Sequence, residues 1–166
     1  LTRARENADG GLVLIGTANP SAASSIKFTN LTSGKNYRVV GNLSRSTAGV
    51  IYFRFTENTV DKSTNYYGAN FFTGWDGTSG NIYPSNLLTE VTLGVAGTSL
   101  TAALSFSYDL NVQSASGRIY GNNYSSHTSR AQFGGFSNEA MSSFNGINIF
   151  PASGTATGQI KLYEYR

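Results

Sequence analysis

Strict alternation dominates this chain. Between residues 100 and 112 the even positions are Leu100, Ala102, Leu104, Phe106, Tyr108, Leu110 and Val112. The odd positions are Thr101, Ala103, Ser105, Ser107, Asp109 and Asn111. A period of two with one apolar and one mostly polar set is the pattern of a strand with one buried and one wet face. Shorter runs repeat it at Ile26/Phe28, at Tyr37/Val39 with Leu43, and at Leu87/Val91/Leu93. It returns at Ile147/Ile149 and Ile160/Leu162. The run Val50-Ile51-Tyr52-Phe53-Arg54-Phe55 is apolar at both parities apart from Arg54, which predicts a strand covered from both sides or one meeting another subunit.

Turn signals separate these runs at intervals of about ten residues, among them Asn19-Pro20-Ser21, Ser33-Gly34-Lys35, Asp76-Gly77-Thr78-Ser79-Gly80 and Pro151-Ala152-Ser153-Gly154. Composition agrees. The 166 residues include 21 Ser, 17 Thr, 16 Asn and 19 Gly, while charged residues make up 13%, too few for a helical bundle. Ten Phe, ten Tyr and one Trp supply more burial than a disordered chain carries. The expected fold is all-β, an antiparallel β-sandwich of jelly-roll type with about eight to ten strands. One domain is expected over 11–166, preceded by a polar arm or linker over 1–10. One helical turn is expected at Asn138-Glu139-Ala140-Met141-Ser142-Ser143, capped by Asn138.

Several classes of chemistry lack their residues. No apolar run approaches the roughly 18 residues of a membrane helix, so membrane insertion is not expected. The start at Leu1, without a leading Met or an apolar stretch, predicts a processed product or an excised piece of a longer chain. With no cysteine and His127 as the single histidine, no metal site or cofactor is expected. A serine triad would need His127, yet no Gly-x-Ser-x-Gly elbow is present. The nine acids are scattered, without the close carboxylate pair of a glycosidase, so no catalytic residue is assigned and no enzyme is expected. A net charge of +3, with Arg3 and Arg5 offset by Glu6 and Asp9, gives no case for nucleic acid.

One stretch stands out. Tyr66, Tyr67, Phe71, Phe72, Trp75 and Tyr83 fall among glycines and short polar residues such as Asp76 and Asn81. Aromatic faces stack on sugar rings, while amides and carboxylates bond sugar hydroxyls. Tyr66, Tyr67, Trp75, Asp76 and Asn81 are therefore candidate glycan-binding residues. The competing reading is that the rings of this stretch fill the core or a subunit contact. Tyr52, Phe53, Phe55, Tyr163 and Tyr165 are candidates for an oligomer interface.

Three segments carry a family resemblance. Ile26-Lys27-Phe28-Thr29-Asn30-Leu31-Thr32-Ser33-Gly34-Lys35-Asn36-Tyr37-Arg38-Val39 resembles the opening strand pair of jelly-roll (concanavalin-like) domains in tailed-bacteriophage structural proteins. Val50-Ile51-Tyr52-Phe53-Arg54-Phe55-Thr56 is similar to their Phe-Arg-Phe strand, and Gly158-Gln159-Ile160-Lys161-Leu162-Tyr163 to their closing Gly-x-Ile-x-Leu-Tyr strand. Where those domains finish with Gly-Ile, this chain has Glu164-Tyr165-Arg166. The resemblance implies an extracellular virion-exterior component, a tail fibre, spike or head-decoration protein. As expected partners it implies further copies of the chain, typically as a homotrimer, and other virion proteins. A receptor-binding domain for a host surface glycan is the function expected first. A capsid decoration or coat subunit, or a cellular carbohydrate-binding module, are the alternatives.

Overall fold

The computed structural model describes residues 11–74, 79–94, 103–113, 118–127, 130–139 and 141–166. Among these residues the chain forms thirteen strands and no helix. In chain order they are β1 (Leu12–Ala18), β2 (Ile26–Thr29), β3 (Asn36–Arg45), β4 (Ile51–Glu57), β5 (Val60–Asp61), β6 (Tyr66–Gly74) and β7 (Ser79–Leu88). Then follow β8 (Val91–Gly94), β9 (Leu104–Val112), β10 (Ile119–His127), β11 (Arg130–Asn138), β12 (Gly146–Pro151) and β13 (Ala156–Tyr165). The count exceeds the eight to ten expected because β5 has only two residues, and β1, β10 and β11 lack the regular apolar alternation that marks the other strands.

All pairings are antiparallel. One sheet has eight strands in the order β1-β13-β3-β9-β10-β11-β6-β7, and the other has β2-β12-β4-β5 with β8 also on β4. The outer edge of β4 is divided: β8 pairs with Ile51, Tyr52 and Phe53, and β5 pairs with Thr56 and Glu57.

The two sheets pack as an antiparallel β-sandwich, and the alternation read in the sequence decides which side chains meet. In β9 the even set Leu104, Phe106, Tyr108, Leu110 and Val112 is buried, leaving Asp109 and Asn111 on the outer face. Phe53 of the small sheet lies 5.9 Å from the ring of Tyr108 and 5.8 Å from that of Phe136 across the sandwich. Such edge and tilted arrangements are the favourable ones for aromatic pairs. Gly121 makes room here, since a Cβ on it would come within 2.2 Å of the Phe136 ring and 2.5 Å of the Asp109 carbonyl.

Two interface assignments are corrected by this packing. Phe53 and Phe55 are 1% and 0% exposed within one chain, so neither ring is available to a second subunit. The outward face of β4 carries Tyr52, which rests on Phe150 of the same sheet at 5.9 Å. Its outward Arg54 lies over the Phe150 ring at 5.0 Å and bonds Glu90.

The helical turn expected at 138–143 is not formed among the described residues. Asn138 is instead the last residue of β11, paired with Tyr66. Glu57 competes for the backbone beyond it: its carboxylate accepts from the Ser143 amide at 2.8 Å, the Ser142 hydroxyl at 2.6 Å and the Ser142 amide. Lys62 closes the same carboxylate at 3.1 Å. Burial opposes the charge, but the Ser142 hydroxyl, the Ser143 amide, Lys62 and the Ser142 amide outweigh it and bring the Glu57 carboxyl down to about 2.

Candidate functional site

The outer face of the eight-stranded sheet gathers the polar and aromatic groups that the core excludes. Because paired residues in an antiparallel ladder share a face, the register fixes its rows. One row runs Tyr163–Arg38–Asp109–Asn122 over β13, β3, β9 and β10, and a second runs Asn36–Asn111–Tyr120. Between these rows opens a cleft of about 400 Å³ lined by Asn36, Asp109, Leu110, Asn111, Tyr120, Gly121, Asn122 and Tyr165. A smaller hollow of about 290 Å³ lies beside Lys161 and Tyr163 on the same face.

Asp109 is the centre of the cleft. Its Oδ1 accepts from Arg38 Nε at 2.7 Å and from the Tyr165 hydroxyl at 2.7 Å, and its Oδ2 accepts from the second Arg38 nitrogen at 2.8 Å. The fork is bidentate, the most directional form of this pair. Arg38 also lies over the Tyr165 ring, 5.6 Å from its centroid. The Arg38 hydrogen bond outweighs burial and, with the Tyr165 hydroxyl, holds the Asp109 carboxyl below the usual carboxylate range. Burial and the neighbouring carboxylate push the Tyr165 phenol up, so it remains a donor. Even so, the Asp109 side chain is 40% exposed, which leaves Oδ2 able to accept from a ligand. Around it stand the amides of Asn36, Asn111 and Asn122, with the rings of Tyr120 and Tyr165. Among the described residues, no lysine or arginine lines the cleft. Arg118 is exposed nearby, its charge favoured by the Tyr120 hydroxyl.

The residues expected to bind glycan are divided by the fold. Tyr66 is 0% exposed, with its hydroxyl accepting from the Phe55 amide at 2.7 Å and donating to the Lys62 carbonyl at 3.1 Å. Its ring stacks on Phe55 at 5.6 Å, so it is a core residue and the glycan assignment is corrected. Tyr67 is half-buried on β6, paired with Ser137, which in turn faces Tyr120. Asn81 is placed on β7 opposite Phe71. Trp75 and Asp76 lie outside the described residues. Of the interface candidates, Tyr163 and Tyr165 are half-buried on the outer face of the large sheet and Tyr52 is half-buried on that of the small sheet.

Sequence reasoning did not single out Asp109, Asn36, Asn111, Tyr120 or Asn122. The available signal was the polar parity of β9, where Asp109 is the one charge among the odd positions. Among the described residues, no three His, Asp or Glu side chains gather as metal ligands, and no helix is long and apolar enough to cross a membrane.

No family model matches the chain, and no curated protein does. Two solved structures are similar to it at a low level. One is of the Gt strain of infectious bursal disease virus, with 12% identity, a TM-score of 0.12, and coverage of 96% of this chain and 40% of that one. The other is the VP2 subviral particle of infectious bursal disease virus, with 11% identity, a TM-score of 0.12, and coverage of 95% and 36%. The chain thus spans well under half the length of either viral protein, and a superposition at that TM-score carries no argument about fold or role.

Proposed function

We propose that this chain is a non-enzymatic binding domain of a virion exterior, of fibre or spike type, that recognises a neutral host surface glycan in the cleft around Asp109. The observation that carries the reading is the composition of that cleft: one carboxylate held ionised and in fixed orientation, three amides and two tyrosine rings. Carboxylate and amide groups accept and donate to vicinal hydroxyls, and the rings offer flat apolar faces to the C–H side of a pyranose. An anionic sugar is disfavoured at the centre of the cleft, where it would meet the Asp109 carboxylate. The virion assignment rests on the sequence resemblance and on a surface kept polar by hydroxyls and amides. Screening an array of neutral and acidic glycans against the wild-type chain and Asp109→Asn tests the reading. Binding of neutral glycans that Asp109→Asn removes is expected; selective binding of acidic glycans, or none at all, contradicts it.

A second reading, a decoration or coat subunit in a homo-oligomer such as a trimer, draws on β1. This edge strand exposes Leu12, Leu14 and Ile15 at 38%, 50% and 40%. Apolar edges of this kind favour contact between chains. Light scattering of the wild-type chain and of Leu14→Lys tests it: an oligomer that the substitution dissociates supports the second reading, and a monomer opposes it.

A further inference from the structure

Across β10, β11 and β6 the outer face carries a row of three rings. Tyr124 pairs with Phe133, and Phe133 pairs with Phe71. Tyr124 and Phe133 are each 53% exposed, and the Phe71 and Phe133 rings sit 5.2 Å apart. Scattered exposed apolar residues are ordinary; three in register on adjacent strands form a patch. Along the three strands the next positions on this face hold small or polar residues, Asn122 and Ser126 beside Tyr124, Ala131 and Gly135 beside Phe133, and Ala69 and Thr73 beside Phe71. A protein interface is built around a broad desolvated core of large side chains, whereas these along-strand neighbours are small or polar. A ribbon of rings bordered by hydroxyls and amides fits a sugar chain.

The row is continuous with the cleft. Tyr120, Asn122 and Tyr124 occupy alternate outward positions of β10, so cleft and row adjoin on one face and together span on the order of 20 Å. That exceeds one sugar ring. Resting on the glycan reading above, we infer that the domain binds an extended glycan strand, with the reducing or non-reducing end in the Asp109 cleft and successive residues stacked over Tyr124 and Phe133.

The test measures affinity calorimetrically for glucose, N-acetylglucosamine and their β-1,4- and α-1,4-linked oligomers up to about six units, a length that covers the face. The proteins are wild type, Tyr120→Ala, Tyr124→Ala and Phe133→Ala; the last two remove exposed rings and are expected to keep the wild-type fold by circular dichroism. Affinity is expected to rise about tenfold or more with length, with Phe133→Ala and Tyr124→Ala removing that gain and sparing the short ligands. Tyr120→Ala is expected to weaken every ligand. Length-independent binding that still needs Tyr120 overturns the extended strand while leaving the cleft reading intact, whereas no binding by any probe overturns both. Self-association abolished by Phe133→Ala, without change in oligomer affinity, makes the row a contact between copies and also overturns the inference.

Discussion

Asp109 and Tyr165 come from strands that are not neighbours, β9 and β13, yet the Tyr165 hydroxyl donates to Asp109 Oδ1 at 2.7 Å across the intervening β3. Arg38 on β3 completes the bridge, so the three strands present one rigid acceptor to the cleft. Removing the hydroxyl with Tyr165→Phe keeps the ring and loosens the carboxylate. The expected result is a near-wild-type melting temperature with glycan affinity reduced several-fold, less than a full charge-assisted hydrogen bond because the Arg38 fork still holds the carboxylate. Equal affinity in Tyr165→Phe and wild type would count against the arrangement.

The same contact sets the acid limit of binding. Asp109 titrates below its ordinary value, so its ionised form and the Arg38 fork persist above the unfolded-state carboxyl value and are lost as pH falls through the depressed one. Binding is therefore expected to stay level from neutral pH to about pH 4 and to fall below that. A pH series of affinities checks this; a decline centred near pH 6 would point to some other group.

Glu57 makes a separate prediction about stability. Its carboxylate ties residues 142 and 143 to the hairpin between β4 and β5 and titrates at about 2. Glu57→Gln is expected to cost about 2 kcal/mol in urea unfolding at neutral pH. Because the folded-state value lies below the unfolded one, that contribution is full above about pH 4.5 and disappears as pH falls toward 2. Wild type and Glu57→Gln should therefore converge in acid. A constant gap down to pH 2 would contradict the clamp.

The hairpin itself stores local strain. Glu57 pairs with Val60 across Asn58 and Thr59, whose φ angles are 50° and 69°. Such a two-residue turn favours glycine at its second position, and a β-branched residue is the costliest occupant. Thr59→Gly is expected to raise stability by about 0.5–1 kcal/mol, reduced somewhat by the looser unfolded chain. Thermal melts of the two proteins decide it, and a lower melting temperature for Thr59→Gly would refute the strain.

Phe53 distinguishes core from interface. Phe53→Ala is expected to cost about 3–5 kcal/mol in unfolding without changing the molecular mass in solution. Gly121→Ala should also destabilise, by about 1–3 kcal/mol, because its Cβ meets the Phe136 ring and the Asp109 carbonyl at once. A change in mass with stability preserved would return Phe53 to an interface.

The sandwich was legible because parity survives in a sequence read one residue at a time. β9 needed no partner to declare which of Phe106, Ser107, Tyr108 and Asp109 faced inward. What parity does not carry is cross-chain company. Tyr66 reads as a sugar platform in the sequence, whereas in the fold its hydroxyl sits between the Phe55 amide and the Lys62 carbonyl. Tyr52 and Phe53 looked alike, although one lies against Phe150 outside and the other against Tyr108 inside. The cleft is composed of single residues at 36, 109, 111, 120, 122 and 165 on four strands, with no motif to announce them. Only the strand order β13-β3-β9-β10 brings them together.

The most direct test of the central claim is an amide chemical-shift titration of the isotope-labelled chain with a neutral glycan selected from the array. Saturable shifts concentrated at Asn36, Asp109, Asn111, Tyr120, Asn122 and Tyr165 are the predicted result. Shifts confined to the small sheet, or a spectrum unchanged at millimolar glycan, would contradict a binding site on the outer face of the large one.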